Sequence, residues 1–397
     1  MFLRVEKGKI IAKNAKGISK PVMLKGVNLG GWLMMEGYIL GGRNIPEREF
    51  KNNLALKHGR TALLEFNRLF RDNFILERDF KLISKSGFNC VRIPFNFRLI
   101  QARETFRYLE KAVDLCRKHG LFAILDLHSA PGSQNEDWHS DSLGEALLWK
   151  DKRCQEQLIG IWQFLAQRFK HEKTIAGYDI LNEAVCANNR VVSGLYKKVI
   201  KAIREIDRNH IIFLEGNNWA QDIEFLGEPC DENMVYSIHF YMPLEFTFNF
   251  IRNIRYPGKI GNTHFPKAKL KEKLRKYYLI QRKYKVPIFV GEFGQNSRCP
   301  YCHKELTWLK DTLSLFREFG FHWTYWTWKA IAQGIYPDGI YQYQENPAWV
   351  NRQGPAYGWE TYYYLWHKNK KQISDSWRSE NFRQNKALSS VLGSFLR

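Results

Sequence analysis

A chain of 397 residues, 44% hydrophobic and 25% charged, has the make-up of a folded globular protein and the length of one elaborated domain or two ordinary ones. No run of about 18 apolar residues occurs, which excludes a membrane-spanning helix. The 61 Lys and Arg outnumber 40 Asp and Glu to give +21, but they are dispersed through segments such as KAKLKEKLRKYYLIQRKYK and form no nucleic-acid motif, so solvated helix faces are expected.

The opening stretch FLRVEKGKIIAKNAKGI lacks a sustained apolar core, so no secretory leader is expected and the protein is placed in the cytoplasm unless a leader has been removed. It reads instead as a small hairpin with Lys-Gly turns, within residues 1–21. Beyond it, eight short apolar and β-branched runs follow: VMLKGVNLGG, FNCVRIPFN, FAILDLHS, IAGYDILNE, IIFLEGN, MVYSIHFY, PIFVGEFG and HWTYWTWK. Between them lie segments of helical period such as FRYLEKAVDLCRKHG and VSGLYKKVIKAIREIDRN, which end near Gly or Asn. Eight strand-plus-helix units predict an α/β fold, a (β/α)8 TIM barrel over residues 1–397, with the hairpin covering its floor and a long loop at 330–360 after strand eight.

In such a barrel, polar residues at the carboxyl ends of strands converge on one mouth. Strand two ends in Arg92 and Asn96, strand three in Asp126 and His128, strand four in Asn182 and Glu183, and strand five in Glu215 and Asn217. Strand six supplies His239 and Tyr241, strand seven Glu292, and strand eight Trp326 and Trp328. Each alone could be a structural ion pair or cap; so many together suit a reaction mouth better than apolar barrel layers.

Glu183 and Glu292 each end an apolar strand, on roughly opposite sides of the barrel. Paired acids across a cleft suggest glycoside hydrolysis, with one protonating the leaving oxygen and the other attacking the anomeric carbon or activating water. Trp326 and Trp328 offer flat faces for sugar C–H groups, and Asn182 can hold a 2-hydroxyl. Strict alternation would send Asn182 and Glu183 to opposite faces, so strand four is expected to end or bulge there.

Other chemistries have less support. His128, His139 and His239 lack an H-E-x-x-H or Cys/His cluster, so no metal is expected. The CPYC at 299–302 has the form of a thiol redox site without its βαβ setting. Seven cysteines, an odd number scattered through apparent core elements, suggest reduced thiols.

The ordered segments GVNLGGWLMMEG, FRDNFILERDFKLISKSGFNCVRIPFN, AILDLHSAPGSQN, YDILNEA, SIHFYMP, IFVGEFG and YWTWK resemble glycoside hydrolase family 5, the cellulase-like family, over nearly the whole chain. They look closest to its exo-β-1,3-glucanase branch. The resemblance implies a retaining double displacement, with Glu183 as acid/base and Glu292 as nucleophile. Arg92 and Tyr241 would hold Glu292, Arg92 favouring its ionised form. His128 and His239 would brace the site, Asn182 would meet the 2-hydroxyl, and Trp326 would lie under the first sugar. In the exo-glucanase branch two further acids grip the terminal sugar: Glu36 fits the first, and Asp137, within NEDWHSD, is the choice for the second. Two acids about 5 to 5.5 Å apart are expected to share one proton near neutral pH. The stretch KAIAQGIYPDGIYQYQENPAW departs from the branch's pattern.

The expected function is that of a retaining β-glycosidase without a cofactor, exo-acting on β-glucan ends or short β-glucosides. Within enzymes the alternatives are an endo-β-glucanase, a β-mannosidase or a glycolipid head-group hydrolase. From other classes they are a non-catalytic carbohydrate-binding protein and, on charge alone, a nucleic-acid binder.

Overall fold

Eight parallel strands close into a barrel: β1 (Lys25–Asn28), β2 (Cys90–Asn96), β3 (Phe122–Ser129), β4 (Ile175–Asp179), β5 (Ile211–Glu215), β6 (Met234–His239), β7 (Ile288–Phe293) and β8 (His322–Tyr325). Each lies within one of the eight predicted runs. The structure, a computed structural model, describes residues 2–13, 17–251, 253–296, 306–330, 335–343 and 359–396.

Helices pack outside the strands because their apolar residues recur at three and four spacing. In Lys152–Phe169, Leu158, Trp162, Leu165, Ala166 and Phe169 are buried, and Asp151 caps the first turn through the Arg153 N–H. Asn188 caps Asn189–Arg204 in the same way. In Lys267–Tyr284 the buried stripe is Leu270, Leu274, Tyr277 and Ile280, while Lys271, Arg275, Lys276, Arg282 and Lys283 face water. That is the expected home of much of the positive charge. One unit departs from the eight-fold expectation: β5 and β6 are joined by the four-residue turn Asn217–Ala220 and the 3-10 turn Glu224–Leu226, without a long helix.

The hairpin predicted at the N-terminus is present and gains a strand. Leu3–Glu6 pairs with Lys9–Lys13 across a turn in which Lys7 and Gly8 both take positive φ, and Ser19–Pro21 adds a third strand. Leu3 and Ile10 pack on Leu24, Cys90, Ile124, Phe213 and Phe289, so the hairpin covers the barrel floor. At the other end, after β8, Lys329–Ala330, Tyr341–Tyr343 and Phe382–Gln384 form a small sheet. The CPYC and most of the 330–360 loop lie outside the described residues. The five cysteines within them are free thiols, and no helix among them is long and apolar enough to cross a membrane.

Candidate active site

At the carboxyl ends of the strands a cavity of 420 Å³ opens, lined by Glu36, His128, His139, Glu183, His239 and Glu292 on its polar side. Its size is that of a small-molecule site. Arg92, wholly buried, organises the layer beneath. Its guanidinium donates to Asp179 at 2.8 Å, Glu292 at 2.9 Å, Asn182 at 2.9 Å, Glu215 at 2.8 Å and Asn28 at 3.2 Å, and lies 3.1 Å from Asp126. One side chain from β2 thereby ties together β1, β3, β4, β5 and β7.

A single cation cannot hold four buried carboxylates ionised. Burial pushes Asp126 up to about 8 and Asp179 well above the carboxylate range, despite Arg92. Burial raises the Glu292 carboxyl; His239 and Arg92 pull it back towards the ionised form, the sense expected of Arg92, but only in part. Asp126, Asp179 and Glu215 lie close enough to form a cation site, but the Arg92 guanidinium is the cation they surround.

Both predicted acids stand where regular strand geometry fails. β4 ends at Asp179, and Glu183 takes φ of +44°, a left-handed conformation uncommon for a residue with a Cβ. The bend is fixed by the Glu183 N–H donating to Glu215 at 2.6 Å and its carbonyl accepting from Asn135 at 2.9 Å. The expected break in strand four is therefore present. On β7 the register shifts between Val290 and Glu292 against β6. Gly291 sits in that shift, where a Cβ would lie 3.0 Å from Ser237 Oγ and 3.2 Å from His239 Nε2, so glycine leaves room for the histidine.

His239 joins the two acids. Its Nδ1 is 2.7 Å from Glu183 Oε1 and 3.5 Å from Glu292 Oε2, and one atom from each of the three groups falls within 4.8 Å of the others. Burial pulls the imidazole pKa down, but Glu215, Glu292 and Glu183 raise it well above the ordinary value. Glu183 shows the reverse balance: burial pushes it up, while His239, His139 and His128 bring it down to about 2. The proton expected on a glutamate thus rests on His239, against Glu183.

The remaining predicted residues line the cavity or, as Asn182 does, bond to the Arg92 layer beneath it, with one exception. Tyr241 donates to Glu292 at 2.9 Å. His128 stacks on Trp326 with ring centroids 5.5 Å apart, holds Asp126 at 2.8 Å, and is kept neutral by burial, which lowers its pKa to about 3. Glu36 lines the cavity 3.9 Å from His128, and burial together with Glu292 and Glu183 drives its carboxyl well up, towards the neutral acid. Asp137 sits at the rim, accepting from Trp219 at 2.8 Å. Asn182 lies just below the cavity, and its Nδ2, though buried, has no hydrogen-bond partner among the described residues.

Trp328 is the exception. It is fully buried, donates to Asp79 at 2.9 Å, packs on Tyr341 and does not line the cavity. The expectation took both tryptophans as the end of strand eight, but β8 ends at Tyr325 and the next strand, Lys329–Ala330, belongs to the small separate sheet. Asn96 and Asn217 are likewise structural, bonding Asp141 and the Cys186 backbone. Sequence reasoning missed the loop aromatics Tyr38, Trp138, Trp219, Phe248, Phe250 and Tyr336, as well as the part of His139, 3.5 Å from Glu183. Their advance signal in the sequence was its 15% aromatic content, with 27 Phe, 19 Tyr and 13 Trp.

A family model described as cellulase, glycosyl hydrolase family 5, matches residues 54–331. The chain belongs to this family. It is thus a glycoside hydrolase, and its substrate is a carbohydrate. Among relatives of this family 5 chain, a β-xylosidase of Phanerodontia chrysosporium is 32% identical, over 84% of this chain and 72% of that one. Endoglucanase C of Acetivibrio thermocellus is 26% identical, over 78% and 92%. A probable glucan 1,3-beta-glucosidase A of Emericella nidulans is 28% identical, over 62% and 65%. Among solved structures, one glycoside hydrolase covers 94% of this chain and 99% of its own at 20% identity and a TM-score of 0.63, a likeness of fold.

Proposed function

We propose that this family 5 chain is a retaining β-glycosidase, exo-acting on β-linked glucose at glucan ends or in short glucosides. Carrying this reading is the approach of Glu183 and Glu292, with one oxygen of each within 4.8 Å across His239. Retaining enzymes hold their acids about 5 to 5.5 Å apart, whereas inverting enzymes leave about 6.5 to 9.5 Å for a water.

In this mechanism Glu292, oriented by Arg92 and Tyr241, attacks the anomeric carbon as the C1–O bond to the leaving group breaks. Glu183 first takes the His239 proton across their 2.7 Å contact and passes it to the leaving oxygen, which leaves Glu183 ionised again. Forming the glycosyl ester removes the Glu292 charge, and Glu183, now a carboxylate, draws a proton from the water that cleaves the ester. Asn182 Nδ2 supplies a donor for the 2-hydroxyl, and Trp326 a platform for the ring. Glu36, neutral at the closed end, can donate to a hydroxyl of the terminal sugar, which favours exo action.

A second reading, β-xylosidase action, draws support from the Phanerodontia relative. Aryl β-glucosides and β-xylosides separate the two by kcat/KM. Glu183→Gln should lower kcat about 10²- to 10⁴-fold, and Glu292→Ala at least as much. Turnover unaffected by both changes would remove these residues from the chemistry. NMR of the first product should show the anomer of the substrate, and initial release of the opposite anomer contradicts retention.

A further inference from the structure

Outward from Tyr241 the cavity wall becomes apolar. Tyr241 meets Phe248 at 4.9 Å between ring centroids, Phe248 meets Phe250 at 5.3 Å, and Tyr336 closes on both at 5.3 and 5.7 Å. Met242 and Leu244 complete this side. The wall is tied together: the Tyr336 N–H donates to the Phe248 carbonyl at 2.9 Å, and Asn296 bonds the Thr247 carbonyl at 2.7 Å and the Tyr336 carbonyl at 2.8 Å. Exposure rises along the cavity, from 3% at Trp326 and 5% at Glu292 to 40% at Leu244 and 48% at Phe250.

Large apolar side chains grouped at the mouth of a cavity indicate a ligand that covers them. A sugar on the leaving-group side would need polar partners for its hydroxyls beside any aromatic platform. Beyond Tyr241 the polar group on this wall is the Tyr336 hydroxyl, while Asp137, His139 and Gln221 line the cavity elsewhere. We infer that the open side of the cavity, towards which exposure rises and the leaving group of an exo-acting enzyme extends, takes an apolar aglycone, alkyl or aryl, joined to the sugar through the bond that Glu183 and Glu292 cleave. This rests on the glycosidase reading: the aglycone departs as an alcohol carrying the proton from Glu183, and the sugar passes to Glu292 and then to water.

The test compares kcat/KM of the full chain on methyl, butyl, hexyl and octyl β-glucosides and β-xylosides below their micellar concentrations, with benzyl and phenylethyl glycosides as the aryl arm and cellobiose and laminaribiose as sugar controls. The expected result is a rise of roughly two- to threefold per methylene over the first carbons, or a matching gain confined to the aryl arm, either exceeding the disaccharides. Replacing Leu244 and Phe250 together by Ser should cut the octyl-to-methyl ratio about tenfold in an alkyl-selective site. Calorimetric binding of the corresponding 1-thioglycosides, which are not hydrolysed, reads the subsite without turnover. Sugar release with flat alkyl and aryl series, or disaccharides preferred over both, overturns the inference and leaves the glycosidase reading standing. Tight thioglycoside binding without release from any substrate overturns the glycosidase reading and the cleavage of the aglycone with it, and leaves only an apolar subsite.

Discussion

At the scale of single residues, Glu215 links more of the chemistry than its place in the sequence suggests. Its two oxygens hold Arg92 at 2.8 Å and the Glu183 backbone at 2.6 Å, and Oε1 lies 3.2 Å from His239 Nε2. It therefore fixes the bend at Glu183 and is the largest influence raising the His239 pKa. Replacing it by Gln should lower kcat roughly 10- to 100-fold, as a misplaced reacting group does, with a smaller effect on KM. The same change should move the basic limb of the kcat/KM profile to lower pH, because His239 loses that carboxylate. His239→Asn should move that limb the same way: Glu183 then keeps its own proton, without a neighbouring reservoir that holds one to high pH. A basic limb unmoved in both variants would place the working proton elsewhere.

At the scale of elements, strands are regular where they pack and irregular where they react. β8 shows the packing side. His322 at its start accepts from the Leu24 N–H at 3.0 Å through Nδ1, and burial lowers its pKa to about 4. Its folded value lies below the unfolded value of about 6.5, so as pH falls the unfolded chain takes the proton first. The stability contributed by the neutral ring is intact above about pH 6.5 and is lost progressively towards pH 4. Between pH 7 and pH 5 the loss amounts to about 2 kcal/mol. An Asn at this position keeps an acceptor for Leu24 and has nothing to titrate. Urea unfolding of His322→Asn should therefore show about 2 kcal/mol less destabilisation than the parent over that interval, and an identical pH dependence would contradict the assignment.

At the scale of the whole molecule, the barrel separates stability from chemistry along its axis. The N-terminal hairpin seals the end opposite the cavity through Leu3 and Ile10, at 2% and 1% exposure. Ile10→Ala should cost about 2 to 5 kcal/mol, seen as a lowered Tm, with kcat and KM unchanged below the transition. A loss of activity without a change in Tm would mean that floor and mouth communicate. The positive charge follows the same division, with many lysines and arginines on the outer faces of helices such as Lys267–Tyr284.

The sequence by itself determined the eight strands, their closure and the two glutamates. Apolar runs bounded by turns leave few ways to bury a parallel sheet, and a polar group ending such a run is visible without a structure. It also required that the chain bend at Asn182 and Glu183, since alternation allows no other way for both to serve one sugar. Only the tertiary structure decided where the proton rests, because the charge state of Glu183 depends on His239 and His139 and, through His239, on Glu215, brought in from two other strands and a loop. The fate of Trp328 was hidden because the point where β8 stops, Tyr325, is set by its pairing with β7 and β1 and not by the run HWTYWTWK itself. The apolar wall was hidden too, since Tyr241, Phe248, Phe250 and Tyr336 meet across two loops whose paths are set by long-range backbone hydrogen bonds and by no local period.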